Sequence, residues 1–411
     1  MSEPTPPPSE PLATPPTHQP ARRPSLPLIF SITITGILAN TLVVPAVPDI
    51  LDAFERGDGD AGIFVAAGTI PGIVVAPIIG VLADRFGRRA VLVPCLGTFA
   101  AFGLLSALAP SWPVLLLLRL GQGVGAAGLI NLAVVIIGDH WDGLERARLV
   151  ALNAAVLTVS LAVFPPIGGL LTELGGWRWS FAPYAIGFVT AWQIATRLDR
   201  VRPAVAHTVR EQLRGASAAI RNRDVLGSIT IGSIVFLLIF GLFLTAMPVH
   251  LEEDFGLSAG RRGLIVAAPA LSSTVAALLL ARLRARFGAV ALVAGASVLF
   301  TAAFVVIGST GSLVVLVLGT MLYGLGEGVF IPTLQDVVAG AAPPAQRGAT
   351  IAVWVGAARL GQTIGPLGVG ALYEVIGTGQ TFVVGGGVAA ALVVAELLGR
   401  FGDDRRPTPA T

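Results

Sequence analysis

Apolar residues in this chain run in long blocks instead of alternating or recurring once per helical turn. A helix needs roughly 20 largely apolar residues to cross about 30 Å of hydrocarbon. From Leu28 onwards the sequence holds twelve such blocks, at about 28–47, 61–83, 90–109, 112–138, 147–172, 180–198, 225–248, 263–281, 289–308, 312–339, 347–373 and 380–399. An arginine-rich polar stretch, 199–224, follows the sixth. It divides the chain into two six-helix halves, 28–198 and 225–399, joined by a central loop. Residues 1–27 are rich in proline and lack the apolar core of a signal peptide, so they read as a disordered tail. Residues 400–411 form a second polar tail.

Composition sharpens this picture. Of 411 residues, 54% are hydrophobic and 12% charged, with a mean hydropathy of +0.81. A soluble domain carries about 25% charged residues, so most of this surface is expected to face lipid. All 27 basic residues are arginine. With both tails in the cytoplasm, 21 arginines lie on the inner side and four (Arg56, Arg178, Arg261, Arg262) on the outer. Basic loops stay inside, so the bias predicts a multi-pass protein of the cell membrane with cytoplasmic termini. Arg119 and Arg359 fall within blocks.

Other function classes fall away. The arginines form no stripe interleaved with aromatics on a soluble module, so nucleic acid is not an expected partner. One cysteine, Cys95, and four scattered histidines offer no metal constellation and no disulfide. No nucleophile set marks an enzyme, and without lysine no ATP-binding G-x-x-x-x-G-K-[ST] loop exists. Gly123, Gly125 and Gly128 do spell G-x-G-x-x-G, but within an apolar block and without the preceding strand and turn that a dinucleotide loop needs. They are expected to smooth a continuous helix surface.

The halves repeat each other. Arg85-Phe86-Gly87 in "GVLADRFGRR" recurs as Arg286-Phe287-Gly288 at an offset of 201, which also carries Arg146 onto Arg347 and Pro165 onto Pro366. Duplicated halves suit alternating access, with the substrate site near the midplane between them.

On these motifs the chain resembles the major facilitator superfamily from residue 28 to 400. "GVLADRFGRRAVL" matches its signature loop, with Gly80, Asp84, Gly87 and the Arg88/Arg89 pair in register, and Arg85 joins Gly80, Asp84, Gly87 and Arg88 as a gating candidate. "RLGQGVGAA" resembles a segment-four motif of proton-coupled members. "FPPIGG", with Pro165, Pro166, Gly168 and Gly169, resembles the drug/proton antiporter motif, although Phe164 stands where that motif has glycine. Gly365 and Pro366 are its partial copy. The resemblance implies an all-α membrane protein of 12 transmembrane helices in two pseudo-symmetric halves, working as a secondary transporter.

The candidate chemistry follows from charges that lipid does not tolerate. An arginine at mid-membrane costs about 2.5–3.5 kcal/mol on insertion scales, so Arg119 is expected to face protein or a watery cavity, with Gln122 on the same face. It either tunes a nearby acid or binds an anionic substrate. Glu327, mid-block, is the best candidate proton carrier. Arg359 is its possible partner, and a static Glu327–Arg359 pair is the plainer reading. Asp49 is an alternative proton site, or a solvated residue at the outer mouth. In the signature loop, Gly80 is expected to allow close helix approach, Gly87 to form the turn, and Asp84 to accept from arginines and to latch the halves. Asp139 and Asp336 read as loop or cap residues. Prolines and glycines of "FPPIGG" supply a bendable helix where the halves meet. Asn40, Asn131, Asn153, Phe236, Phe240, Gln335, Trp354 and Gln362, with Gln122, are candidate substrate contacts, and so few polar groups suit a lipophilic molecule.

The expected function is a monomeric, proton-coupled antiporter exporting hydrophobic or cationic small molecules, without cofactor or metal. A symporter importing a polar nutrient or organic anion, with Arg119 and Arg359 holding a carboxylate, is the alternative.

Overall fold

The computed structural model describes residues 23–199, 223–341 and 347–399. The expectations for the tails and the central loop fall largely or wholly outside them. The described residues are helical almost throughout. The first half comprises α1 (Leu26–Thr41), α2 (Val47–Ala53), α3 (Asp60–Phe86), α4 (Arg88–Ser106), α5 (Trp112–Ala126), α6 (Leu129–His140), α7 (Gly143–Gly175) and α8 (Ile186–Arg197). The second comprises α9 (Arg223–Leu238), α10 (Met247–Glu253), α11 (Ala259–Arg286), α12 (Ala289–Ser309), α13 (Leu313–Ala341), α14 (Arg347–Ile376) and α15 (Thr378–Gly399).

Ten helices among the described residues are long and apolar enough to cross a membrane. Two further expected crossings, 180–198 and 347–373, fall short of that measure. Both are helical, as a 3-10 stretch Trp177–Ala185 leading into α8, and as α14. Polar residues such as Gln193, Arg359 and Gln362 dilute their hydropathy. The outward surface is apolar, with Leu108, Leu117, Leu174 and Leu278 each more than 65% exposed. Such a surface belongs against lipid.

Several blocks expected to be continuous are broken. Prolines without an N–H sit in the first turns of the short helices Val44–Ala46 and α2, so "VVPAVP" restarts the helix twice. The fourth block is interrupted at Ala127–Gly128, between α5 and α6, so its glycines do not line one smooth helix. Between α9 and α10, Ile239–Ala246 winds as a wider π-helix, in which Thr245 Oγ1 donates to the Phe240 carbonyl at 2.7 Å.

The internal repeat extends to backbone contacts. Gly123 packs on the Gly68 carbonyl, and Gly324 on the Pro269 carbonyl; Gly125 packs on Cys95 and Phe99, and Gly326 on Ala296 and Phe300. Every residue in these pairs is displaced by 201. Small residues let membrane helices approach this closely.

The same symmetry builds the boundary between the halves. Gly62 of α3 abuts the Pro366 carbonyl of α14, while Gly263 of α11 abuts the Pro165 carbonyl of α7. One turn away, the Glu374 side chain lies over Gly59 and the Glu173 side chain over Gly260. These contacts gather at the Asp49 end of the bundle. Midway along, Thr69 donates to the Gln362 carbonyl at 3.3 Å and accepts from Thr363 at 3.2 Å. At the Asp84 end, Gly80 and Gly356 have no atom of another helix among the described residues within 4 Å of where a Cβ would stand.

Candidate functional site

Between the halves lies a small cavity lined by Gly36, Asn40, Gly68, Thr69, Gly72, Gly123, Ala126, Ala127, Ile130 and Arg359. Glycines and alanines of α1, α3 and α5 create the space, and Arg359 of α14 closes it. Of the expected substrate contacts, Asn40 lines this cavity.

Arg359 donates to Gln362 Oε1 at 3.1 Å, and its side chain runs across Gly72. Among the described residues it has no carboxylate partner, so the static pair with Glu327 does not form. Glu327 of α13 is half-buried, and Tyr323, one turn earlier, faces it with its hydroxyl. Tyr323 is held by stacking on Phe243 at 4.3 Å and Phe300 at 5.0 Å between ring centres. The acid thus stands beside a phenol instead of a cation.

Arg119 is 3% exposed. Its Nη1 donates to Gln122 Oε1 at 2.6 Å, and the guanidinium lies over the Phe64 ring, 4.8 Å from its centre. Neither arginine answers a carboxylate among the described residues. They flank the glycine face of α3, Arg119 against Gly68 and Arg359 against Gly72.

Other expected contacts divide by neighbourhood. Phe236, Phe240 and Trp354 cluster between α9 and α14, Phe236 edge-on to Trp354 at 5.8 Å. Asn153 is buried and its Oδ1 accepts from Thr33 at 2.7 Å, so it joins α7 to α1 instead of facing a ligand. Asn131 and Gln335 are exposed.

The signature loop turns on one residue: Gly87 has φ 90° and ψ 151°, a left-handed conformation that L side chains rarely adopt, between α3 and α4. Arg88 donates to Asp84 and, at 2.9 Å, to Asp139. Asp139 is therefore part of this network and no mere cap. All three belong to the first half, so among the described residues the Asp84 network does not join the halves. Arg284 and Asp336 pair at 2.8 Å within the second half. Arg85 is exposed and stacks on Phe86. Gly80 makes no close helix approach among the described residues.

The "FPPIGG" residues do meet the partner half. Gly169 packs on Ala259, and Pro165 and Pro166 on Gly263, all of the second half, whereas Gly168 packs within its own half on the Leu42 carbonyl. In the second copy Pro366 meets Gly62, whereas Gly365 packs within its half on Leu237.

The strongest polar link between halves went unread in the sequence. Arg262, counted there among outer connections, is 1% exposed and bridges Asp49 of the first half and Glu252 of its own, the latter at 2.9 Å. Tyr373 adds a hydrogen bond to the Asp58 carbonyl. Asp49 is thus engaged in an ion pair and is not simply solvated. His250 and Glu396 were also missed. His250 is buried against Asp254 and Thr378, and Glu396 is fully buried, accepting from Ser297.

Comparisons with known proteins agree with this architecture. The human major facilitator superfamily domain-containing protein 10 is 26% identical, over 91% of this chain and 93% of its own length. The bacillibactin exporter of Bacillus subtilis is 24% identical, over 82% and 87%. Among solved structures, a bacterial homologue of the human lysosomal transporter Spinster, in an inward-facing state, has a TM-score of 0.75 at 19% identity, covering 94% of this chain and 98% of that one. The human organic anion transporter MFSD10 has a TM-score of 0.68 at 22% identity, covering 92% and 100%. The Major Facilitator Superfamily model matches residues 29–250 and 229–411. With twin halves that meet residue for residue at an offset of 201, this multi-pass, non-enzymatic membrane transporter is a member of the major facilitator superfamily.

Proposed function

We propose that this protein is a proton-coupled exporter of lipophilic small molecules that carry an acidic group. The observation that carries this is Arg359, a cation on the wall of the small cavity between the halves, with no carboxylate partner among the described residues. A cation held between membrane-spanning helices favours a ligand that neutralises it. Asn40 and Thr69 are the only other polar side chains on that wall, which leaves few hydrogen-bonding groups and favours a lipophilic remainder. A cationic substrate, the expectation from the antiporter-like motif, would meet Arg359 unfavourably. Glu327, apart from either arginine, serves as the proton carrier. Names among the relatives lend support: one similar structure is of an organic anion transporter and one relative is an exporter.

The molecule works alone in the cell membrane with both termini cytoplasmic. In that orientation the Asp49 end faces outward and is closed here, so loading occurs from the cytoplasm. Release needs the Gly62–Pro366 and Gly263–Pro165 contacts to part.

A matched dye pair tests the substrate class: a fluorescein carrying one carboxylate, and a rhodamine ester of similar shape with a net positive charge. Energised everted vesicles should accumulate the first and not the second, and Arg359→Gln should lower that uptake about tenfold, the effect of losing one charged hydrogen bond. Preference for the rhodamine ester, or indifference to Arg359→Gln, overturns the reading.

A further inference from the structure

Helices α3 and α14 run antiparallel across the boundary, and their contacts form a ladder. Gly62 meets Pro366, Thr69 meets Gln362, and Gly72 meets Arg359. Further towards the Asp84 end, Gly80 and Gly356 touch no other helix among the described residues. Thr69 therefore stands where the closed end gives way to the cavity, whose wall it shares with Arg359.

The Thr69 side chain is buried, yet its hydrogen bonds are long. Its single hydroxyl proton is shared between the Ala66 carbonyl of its own helix, at 3.2 Å, and the Gln362 carbonyl of the other half, at 3.3 Å. Its oxygen accepts from Thr363, also of the other half, at 3.2 Å. Hydroxyl hydrogen bonds ordinarily measure about 2.5–3.0 Å, so this one is weakly held. Gln362 ties it to the cation, because its carbonyl accepts from Thr69 while its Oε1 accepts from Arg359 at 3.1 Å.

A threonine hydroxyl has only one proton to give. A carboxylate is a stronger acceptor than a peptide carbonyl, since the bond to it is charge-assisted. A carboxylate seated on Arg359 in this cavity therefore draws the Thr69 proton away from Gln362. Turning the hydroxyl also moves the oxygen to which Thr363 donates, and Thr363 can return its proton to a carbonyl one turn back in α14. Both bonds across the boundary are then lost together.

We propose that Thr69 contacts the substrate and couples loading to opening: the carboxylate held by Arg359 takes the Thr69 hydroxyl and so releases the closed end. This rests on the reading of Arg359 as the substrate's anchor.

Two signals from one sample test it. Spin labels at Ala53 and Ser258, on opposite halves of a Cys95→Ala protein, report opening at the Asp49 end. Fluorescence anisotropy of the monocarboxylate fluorescein reports its binding. Without further substitution, saturating dye should raise the open-to-closed ratio about fivefold, the effect of one neutral hydrogen bond. Thr69→Val, which removes the hydroxyl and keeps the shape, should be open to that extent without dye. It should still bind dye through Arg359 and open no further when it does. Thr69→Ser should restore the dye response, and Thr69→Ala repeats the test if valine does not insert. A threonine that only packed the boundary would leave the dye response intact on top of any basal shift. That result, or dye that binds without opening the protein, overturns the proposal and leaves Arg359 as the anchor. Dye that fails to bind, or binds Arg359→Gln equally well, overturns the proposed function and this inference with it.

Discussion

Arg262 of the second half is held at once by Asp49 of the first half and by Glu252 of its own, with only 1% of its surface exposed. One cation thus has two acids, and only one lies across the boundary. When the halves part, Arg262 can keep Glu252 and release Asp49, so the opening motion does not strand a buried charge. Stranding one costs about 3–5 kcal/mol.

Weakening the crossing bond should bias the molecule towards opening at that end. A hydrogen bond to a charged group contributes about 1.5–3 kcal/mol, so Asp49→Asn should shift the closed-to-open ratio by about one order of magnitude. Spin labels at Ala53 and Ser258, on opposite halves, should report a grown population of longer distances. Glu252→Gln should do less to these distances. An unchanged distribution in Asp49→Asn would show that glycine packing alone holds the gate.

Packing is tested separately at the symmetric pair. A Cβ at Gly62 would run into the Pro366 carbonyl, and one at Gly263 into that of Pro165. Backbone cannot yield as a side-chain tip can, so Gly62→Ala and Gly263→Ala should each prevent closure at the Asp49 end. Both variants should insert and bind detergent normally yet lose most transport. The same spin labels should read open, and full transport in either variant would contradict the interface described.

Away from the cavity, Ser297 donates to both Glu396 carboxylate oxygens, at 2.9 and 3.0 Å, between α12 and α15. Removing the donor leaves a fully buried acid without its hydrogen bond. Ser297→Ala should therefore destabilise the protein by about 1–3 kcal/mol, read as a lower Tm in detergent. Glu396→Gln, which keeps an acceptor for Ser297, should be close to neutral. The reverse order would mean that Glu396 works as a charge.

Much of the architecture was legible because membrane constraints act on runs of sequence. Block lengths gave the helices, and the 201-residue offset gave the twin halves. That offset then proved finer than its three sequence anchors, reaching Gly123 and Gly324 and the carbonyls beneath them. Breaks were harder to read: prolines at 45 and 48 restart a helix, and Ala127–Gly128 interrupts another, within runs that look continuous. At the site, Arg119 with Gln122 followed from helical spacing. The Arg262 clasp did not, because Asp49 and Arg262 are 213 residues apart and both sat where loops were expected. Glu396 was overlooked because one acid near the end of an apolar block looks like a solvated terminus. Nothing local in the sequence reveals that Ser297 covers it.

The most direct test of proton-coupled export is proton movement itself. Protein in liposomes with a pH-sensitive dye inside is given an outward gradient of the monocarboxylate fluorescein, with no imposed pH difference. Wild type should drive protons against the flow of dye, and Glu327→Gln, still folded and still binding the dye, should not. Protons moving together with the dye, or equal counter-movement in Glu327→Gln, would contradict the account.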